Sequence, residues 1–198
     1  MENYHLSEAF KLLRYPDMNI FEKLDANDFK LLRKRVIEGV LATDMANHSK
    51  LVGIMTSRLY VHIKEKGSTK SLSELVNEKN DININEIQQD YINFIIHAID
   101  IGHAAKPFDL EFKWAELVTK EFHNQGDNEK ALNLPVSFLC DRYTANIPSS
   151  QISFIDGIVL PTFQLVEKLL PNISNYIELI IKSKEEWEKI KNKQLNNN

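Results

Sequence analysis

The chain has 198 residues, 43% of them hydrophobic and 26% charged, with only six glycines and six prolines. That length and apolar content suit a single core, and the composition excludes a collagen-like, low-complexity or disordered polymer. With 24 basic against 28 acidic residues the net charge is −4, so no broad positive surface for nucleic acid is expected.

Apolar residues recur at helical spacing through most of the chain. Phe29, Leu32, Val36, Ile37, Val40 and Leu41 form the first clear stripe, which Asn27 or Asp28 is expected to cap. Val52, Met55, Leu59 and Ile63 continue the rhythm, and Ile87, Tyr91, Phe94, Ile95 and Ala98 lead into Asp100. Trp114, Leu117, Val118 and Phe122 follow Pro107, a residue suited to a helix's first turn. Ile152, Ile155, Ile158 and Val159 make a further stripe that Pro161 should kink or end. The final helix, expected over 173–193, carries Ile173, Tyr176, Ile177, Ile180 and Ile181 and then turns polar from Lys182. Glu65–Asn85 and Phe138–Ser150 read as loops, and Asn196–Asn198 as a frayed tail. No period-2 alternation occurs, so the expected class is all-α, a compact multi-helix bundle.

Location follows from simpler signs. A lone cysteine, Cys140, makes no internal disulfide and points to a reducing compartment. The opening Met-Glu-Asn-Tyr-His has neither the basic nor the apolar segment of a secretion signal. No apolar run approaches the roughly 18 residues of a membrane span. The expectation is a cytoplasmic protein with no membrane span.

Among six histidines, His97, Asp100 and His103 stand out at intervals of three. A helix running through all three would put them on one face, fit for a metal or an anion. Gly102 between them equally suits a helix end. Gly126 reads as a helix stop, Cys140 as a buried structural thiol, and the basic cluster from Lys30 to Arg35 as a solvated face. Gln151 and Phe154 sit three apart, on one face of their helix. Taken singly, none of these names a reaction.

Taken in order they resemble the class I cyclic-nucleotide phosphodiesterases. The anchors are Glu2-Asn3-Tyr4-His5-Leu6, Asn19-Ile20-Phe21, Val40-Leu41-Ala42-Thr43-Asp44-Met45 with His48, and Ile96-His97-Ala98-Ile99-Asp100-Ile101-Gly102-His103. Glu121-Phe122, Gln125-Gly126-Asp127, Leu139-Cys140-Asp141-Arg142 and Ser150 to Asp156 follow, closing with Val159, Pro161 and Phe163. The resemblance spans about residues 2–171 and corresponds to the C-terminal half of the family's catalytic fold. His103 and Lys106 lean towards its calmodulin-stimulated branch.

The resemblance implies hydrolysis of 3′,5′-cyclic nucleotides (cAMP, cGMP or both) to 5′-monophosphates, as part of signal transduction. Two divalent metals, zinc and magnesium (or manganese), would activate the attacking hydroxide. It assigns Asp100 to metal ligation, with Glu2 and Thr43 reaching metal-bound waters. Gln151 would pair with the purine edge, Phe154 would stack on the base, and Val118 would oppose it. Ile101, Met45, Trp114 and Phe122 would line the same pocket, with His103 near the base. The family's two upstream histidine–aspartate metal motifs and its proton-donating histidine have no counterpart, so the expected set of catalytic residues is empty. Tyr4 and Ala104 also depart from the pattern. Residues 1–198 are therefore expected to form a single partial catalytic domain, inactive alone and less stable than the complete fold. The alternative is an inert helical module that binds a nucleotide or another protein.

Overall fold

The computed structural model describes residues 1–66 and 84–196, with 61–66 described by backbone alone. Every regular element among the described residues is helical, as the 3–4 rhythm requires. The chain divides into two compact units, Met1–Asp100 and Ile101–Asn198.

The first unit holds α1 (Glu2–Leu12), α2 (Ala26–Leu41), α3 (His48–Lys66) and α4 (Ile84–Asp100). Helix α2 starts one residue after Asp25, whose carboxylate accepts from the backbone N–H groups of Asn27 (2.8 Å) and Asp28 (2.9 Å). Asp25, rather than Asn27 or Asp28, is thus the cap, and its charge opposes the positive end of the helix dipole. Helices α2 and α3 both pack on α4. Gly39 makes one approach close: a Cβ there would lie 2.9 Å from Cδ1 of Ile96. Phe94 and Met55 are fully buried and Tyr91, Leu59 and Ala98 nearly so, which accounts for their recurrence in the sequence. Arg58 pairs with Asp90 between α3 and α4. Arg33 lies 5.3 Å over the Phe10 ring and Arg35 donates to Gln88 (2.6 Å). The basic cluster therefore includes packing contacts as well as solvated groups. The loop expected at Glu65–Asn85 falls mostly outside the described residues, but Glu65, Lys66, Ile84 and Asn85 are helical.

The second unit opens with a 3₁₀ turn at Gly102–Ala105, followed by α5 (Phe108–Ala131) and α6 (Ile147–Phe154). A π-helical turn (Ile155–Val159) then leads directly into α7 (Leu160–Leu169), and a 3₁₀ turn at Pro171–Ile173 precedes α8 (Ser174–Asn196). Pro161 does not end its helix. It supplies no N–H, the wider π turn before it absorbs the missing bond, and the Thr162 hydroxyl donates to the Ile158 carbonyl (2.7 Å). Ala104, Ala115, Ile155, Val159, Ile180 and Trp187 form the core, with Trp187 its largest side chain.

Gly126 is no helix stop. It lies inside α5 and is buried, and a Cβ there would meet the Cys140 carbonyl oxygen at 2.0 Å. The loop carrying Cys140 is tied to the same helix. Glu129 accepts from the Ser137 N–H (2.7 Å) and hydroxyl (2.6 Å), Lys130 pairs with Asp141 (2.8 Å), and Arg142 pairs with Asp127. Asn146 ends this loop by capping α6 through the Ser149 N–H (2.9 Å).

Because the obstruction is backbone rather than a mobile side chain, Gly126→Ala should destabilise the chain by roughly 3 kcal/mol. A urea midpoint unchanged from the parent would show that this approach is not held.

Candidate functional site

In the first unit Asp100 is the last residue of α4 and is exposed. The helix stops there, so His97, Asp100 and His103 do not share one continuous helical face. His97 is fully buried and turns inward. Its Nδ1 lies 3.0 Å from the Ala42 carbonyl and its Nε2 3.0 Å from His48 Nδ1. A carbonyl only accepts, so neutral His97 donates from Nδ1 and receives at Nε2 from His48. Burial, and then the neighbouring His97, lower the pKa of His48. This chain of bonds ties α4 to the C-terminal end of α2. Thr43, next to Ala42, donates to the Val40 carbonyl (2.8 Å). Glu2 is half-buried on α1 and pairs with the Met1 amino group (3.3 Å), and Met45 is exposed in the 3₁₀ turn Met45–Asn47. Among the described residues no three His, Cys, Asp or Glu side chains converge to hold a metal, and Asp100 stands as one donor.

In the second unit Gln151 and Phe154 share a face of α6, one turn apart. Gln151 is buried, and its Oε1 has no hydrogen-bond partner. His103 reaches Phe154 from the Gly102–Ala105 turn: the rings are parallel within 6°, centroids 5.6 Å apart. The two base-site residues expected from different segments are therefore in contact. Ile101 is buried, while Trp114, Val118 and Phe122 follow one another at intervals of four along α5, Trp114 being 53% exposed. A cavity of about 530 Å³ opens beside Phe154, bounded also by Leu139, Ser150, Ser153 and Ile158.

Beneath His103 lies a group that sequence reasoning missed. Glu111 is fully buried, and the Trp187 indole N–H donates to both of its carboxylate oxygens (2.8 and 2.9 Å). Trp187 is held in turn by Phe112, stacked at 5.3 Å, and by Phe108, edge-on at 5.4 Å. His103 Nδ1 lies 3.8 Å from Glu111 Oε1 and is itself buried without a hydrogen bond. Burial pushes the Glu111 carboxyl up to about 7, against the lowering effect of the Trp187 bond. Burial first, and Lys106 second, lower His103. The available signal was positional: Glu111 shares a stripe with Phe108, Phe112 and Ala115, where an acid has to be buried.

Residues 1–180 match the family model described as 3′5′-cyclic nucleotide phosphodiesterase, and the chain belongs to that family. It is 40% identical over 170 residues to a probable 3′,5′-cyclic phosphodiesterase of Caenorhabditis elegans, covering 86% of this chain and 22% of that protein. Against the mouse dual specificity calcium/calmodulin-dependent 3′,5′-cyclic nucleotide phosphodiesterase 1B it is 37% identical over 166 residues, covering 84% of this chain and 27% of the relative. Among solved structures, LmjPDEB1 in complex with IBMX superposes with a TM-score of 0.79 at 26% identity, covering 96% of this chain and 52% of that one. The phosphodiesterase domain of a rhodopsin fusion protein from Salpingoeca rosetta also gives 0.79 at 26% identity, covering 98% and 57%. The chain thus spans about a quarter of these curated relatives and about half of the solved chains.

The raised carboxyl at Glu111 has a stability signature. Its folded value of about 7 exceeds the ordinary 4.5, so its contribution is complete below 4.5 and is lost as pH rises through 7. Between those limits the loss should amount to about 3 kcal/mol, and Glu111→Gln should remove that slope. Urea unfolding of both proteins at pH 4.5 and 8 checks this, and parallel profiles would contradict it.

Proposed function

We propose that this polypeptide serves hydrolysis of 3′,5′-cyclic nucleotides to 5′-monophosphates, and that its second unit holds the base. The single observation that carries the reading is the buried, unpartnered Gln151 Oε1 one helical turn from a Phe154 already stacked on His103, in a chain of this family. A buried amide oxygen without a partner costs free energy, and a base edge would relieve it. A side-chain amide carries both donor and acceptor, which suits either adenine or guanine. Phe154 would supply the stacking face, Val118 the opposing apolar wall, and Ile101, Trp114 and Phe122 the lining, while Met45, expected beside them, belongs to the first unit. The relatives named as dual specificity and calcium/calmodulin-dependent support placing the chain near that branch.

Metal dependence belongs to the same reading, with zinc and magnesium or manganese as the expected ions. The described residues do not by themselves satisfy such a site, since structural and catalytic zinc centres use three or more protein ligands. In this reading Asp100 would supply one ligand, and Thr43 and Glu2 would reach the metal-bound waters. We read residues 1–198 as one part of a catalytic domain, working in the cytoplasm. Among the described residues no helix is long and apolar enough to cross a membrane.

That same shortage of metal donors favours a second reading, a module that binds nucleotide without turning it over. Titration calorimetry with cAMP and cGMP on this chain, and on any longer polypeptide containing it, separates the two. Release of 5′-nucleotide by the longer form supports the first; binding without release in both supports the second. In either case Gln151→Ala should weaken binding about tenfold or more, the cost of one buried amide contact. An unchanged Kd removes Gln151 from the site.

A further inference from the structure

We propose that Glu111 sets the hydrogen-bonding character of His103 and thereby makes the base preference of this chain depend on pH. The proposal rests on the nucleotide-binding reading above and adds to it a selector that acts through a proton.

The geometry allows two states. Nδ1 is the ring nitrogen that faces Glu111, at 3.8 Å, and it has no other partner. Nε2 is the nitrogen left to meet a ligand, on a ring that already lies parallel to Phe154. When Glu111 is ionised it accepts from Nδ1–H, and neutral His103 presents Nε2 as a bare acceptor. When Glu111 is protonated its hydroxyl donates to Nδ1, and the ring proton sits on Nε2, which becomes a donor. Each arrangement needs the two groups to close by about 1 Å, within the reach of a small side-chain rotation. Between the states one proton leaves Glu111 for solvent, and the imidazole proton moves from Nε2 to Nδ1 by exchange with water.

Trp187 makes Glu111 the fixed member of the pair. Its N–H is a donor only, so it bonds the carboxyl in both states and holds it in place, while Phe108 and Phe112 hold the indole. The exchange falls near neutrality because burial has lifted the carboxyl to about 7, while burial and then Lys106 lower His103 and so favour its neutral ring. Lys106 is the charge that acts on His103, from the same turn, while on α8 Lys184 is paired with Asp156 (2.9 Å) and Glu188, and Lys189 with Glu186 (2.7 Å). Asp109 and Lys113 on α5 are exposed.

The consequence follows from the purine edges. Adenine presents an amino donor where guanine presents a carbonyl acceptor. A bare Nε2 accepts from adenine, and a protonated Nε2 donates to guanine. Raising the pH through 7 should therefore shift preference from the guanine towards the adenine nucleotide.

Two measurements on the full chain test this. Long-range ¹H–¹⁵N spectra should show His103 carrying its proton on Nε2 at pH 6 and on Nδ1 at pH 8.5. Calorimetry with cAMP and cGMP should show the ratio of their affinities moving by about tenfold between those pH values. In Glu111→Gln the amide donates to Nδ1 at every pH, so the tautomer should stay on Nε2 and the ratio should be flat and favour cGMP. Should that variant not fold, His103→Asn carries the same expectation of a flat ratio. A His103 tautomer that does not change with pH, or changes equally in Glu111→Gln, overturns the inference and leaves the nucleotide reading standing. A switching tautomer in a chain that binds neither nucleotide overturns the purine reading instead.

Discussion

A carboxylate out of contact with water organises the second unit. Placing Glu111 in the core costs free energy that burial alone would not return, and the structure limits that cost with one indole donor shared between both oxygens. Trp187 can serve only because α8 packs where its apolar face meets Phe108 and Phe112 on α5. The polar contact and the largest piece of the core are therefore one feature. The same carboxylate lies 3.8 Å from Nδ1 of His103, whose ring meets Phe154 on α6. Four elements (α5, α8, the Gly102–Ala105 turn and α6) are linked through one ionisable group.

The first unit uses a comparable device with different chemistry. His97 has no exposure and is satisfied at both nitrogens, by the Ala42 carbonyl and by His48. That arrangement secures the end of α2 that carries Thr43 against the last turn of α4, which ends in Asp100. In both units a buried ionisable side chain, His97 in the first and Glu111 in the second, links neighbouring elements through its hydrogen bonds. Glycine plays the complementary part, admitting Ile96 against Gly39 and the Cys140 carbonyl against Gly126.

The helical class and most helix positions were legible because burial imposes the 3–4 rhythm directly on residues such as Phe94, Met55 and Ile155. Boundaries were less legible, since Asp25 caps α2 by reaching past Ala26 and nothing in the apolar pattern marks it. Gly126 misled because it was weighed by its intrinsic preference, whereas Pro161, expected to kink or end its helix, follows a π turn that interrupts the α-helical pattern. The π turn accommodates the proline, and a close carbonyl requires the glycine. The base site proposed above rests on its residues as a set, through resemblance; Gln151 or Phe154 alone is an ordinary helical residue. Glu111 escaped because first-turn acids are common on helix surfaces, and Trp187 because it lies in a stretch dominated by charge. Their partnership joins positions 76 residues apart, which local pattern does not reach.

The most direct test is a ¹³C titration of the Glu111 side-chain carboxyl, followed together with the Trp187 indole N–H resonance. The account predicts a midpoint near 7, with the indole signal moving in step, because burial and the Trp187 bond act on the same group. A midpoint near the ordinary 4.5, or an indole signal indifferent to it, would contradict the account: the carboxylate would then be solvated, and His103 would lack a buried ionisable partner.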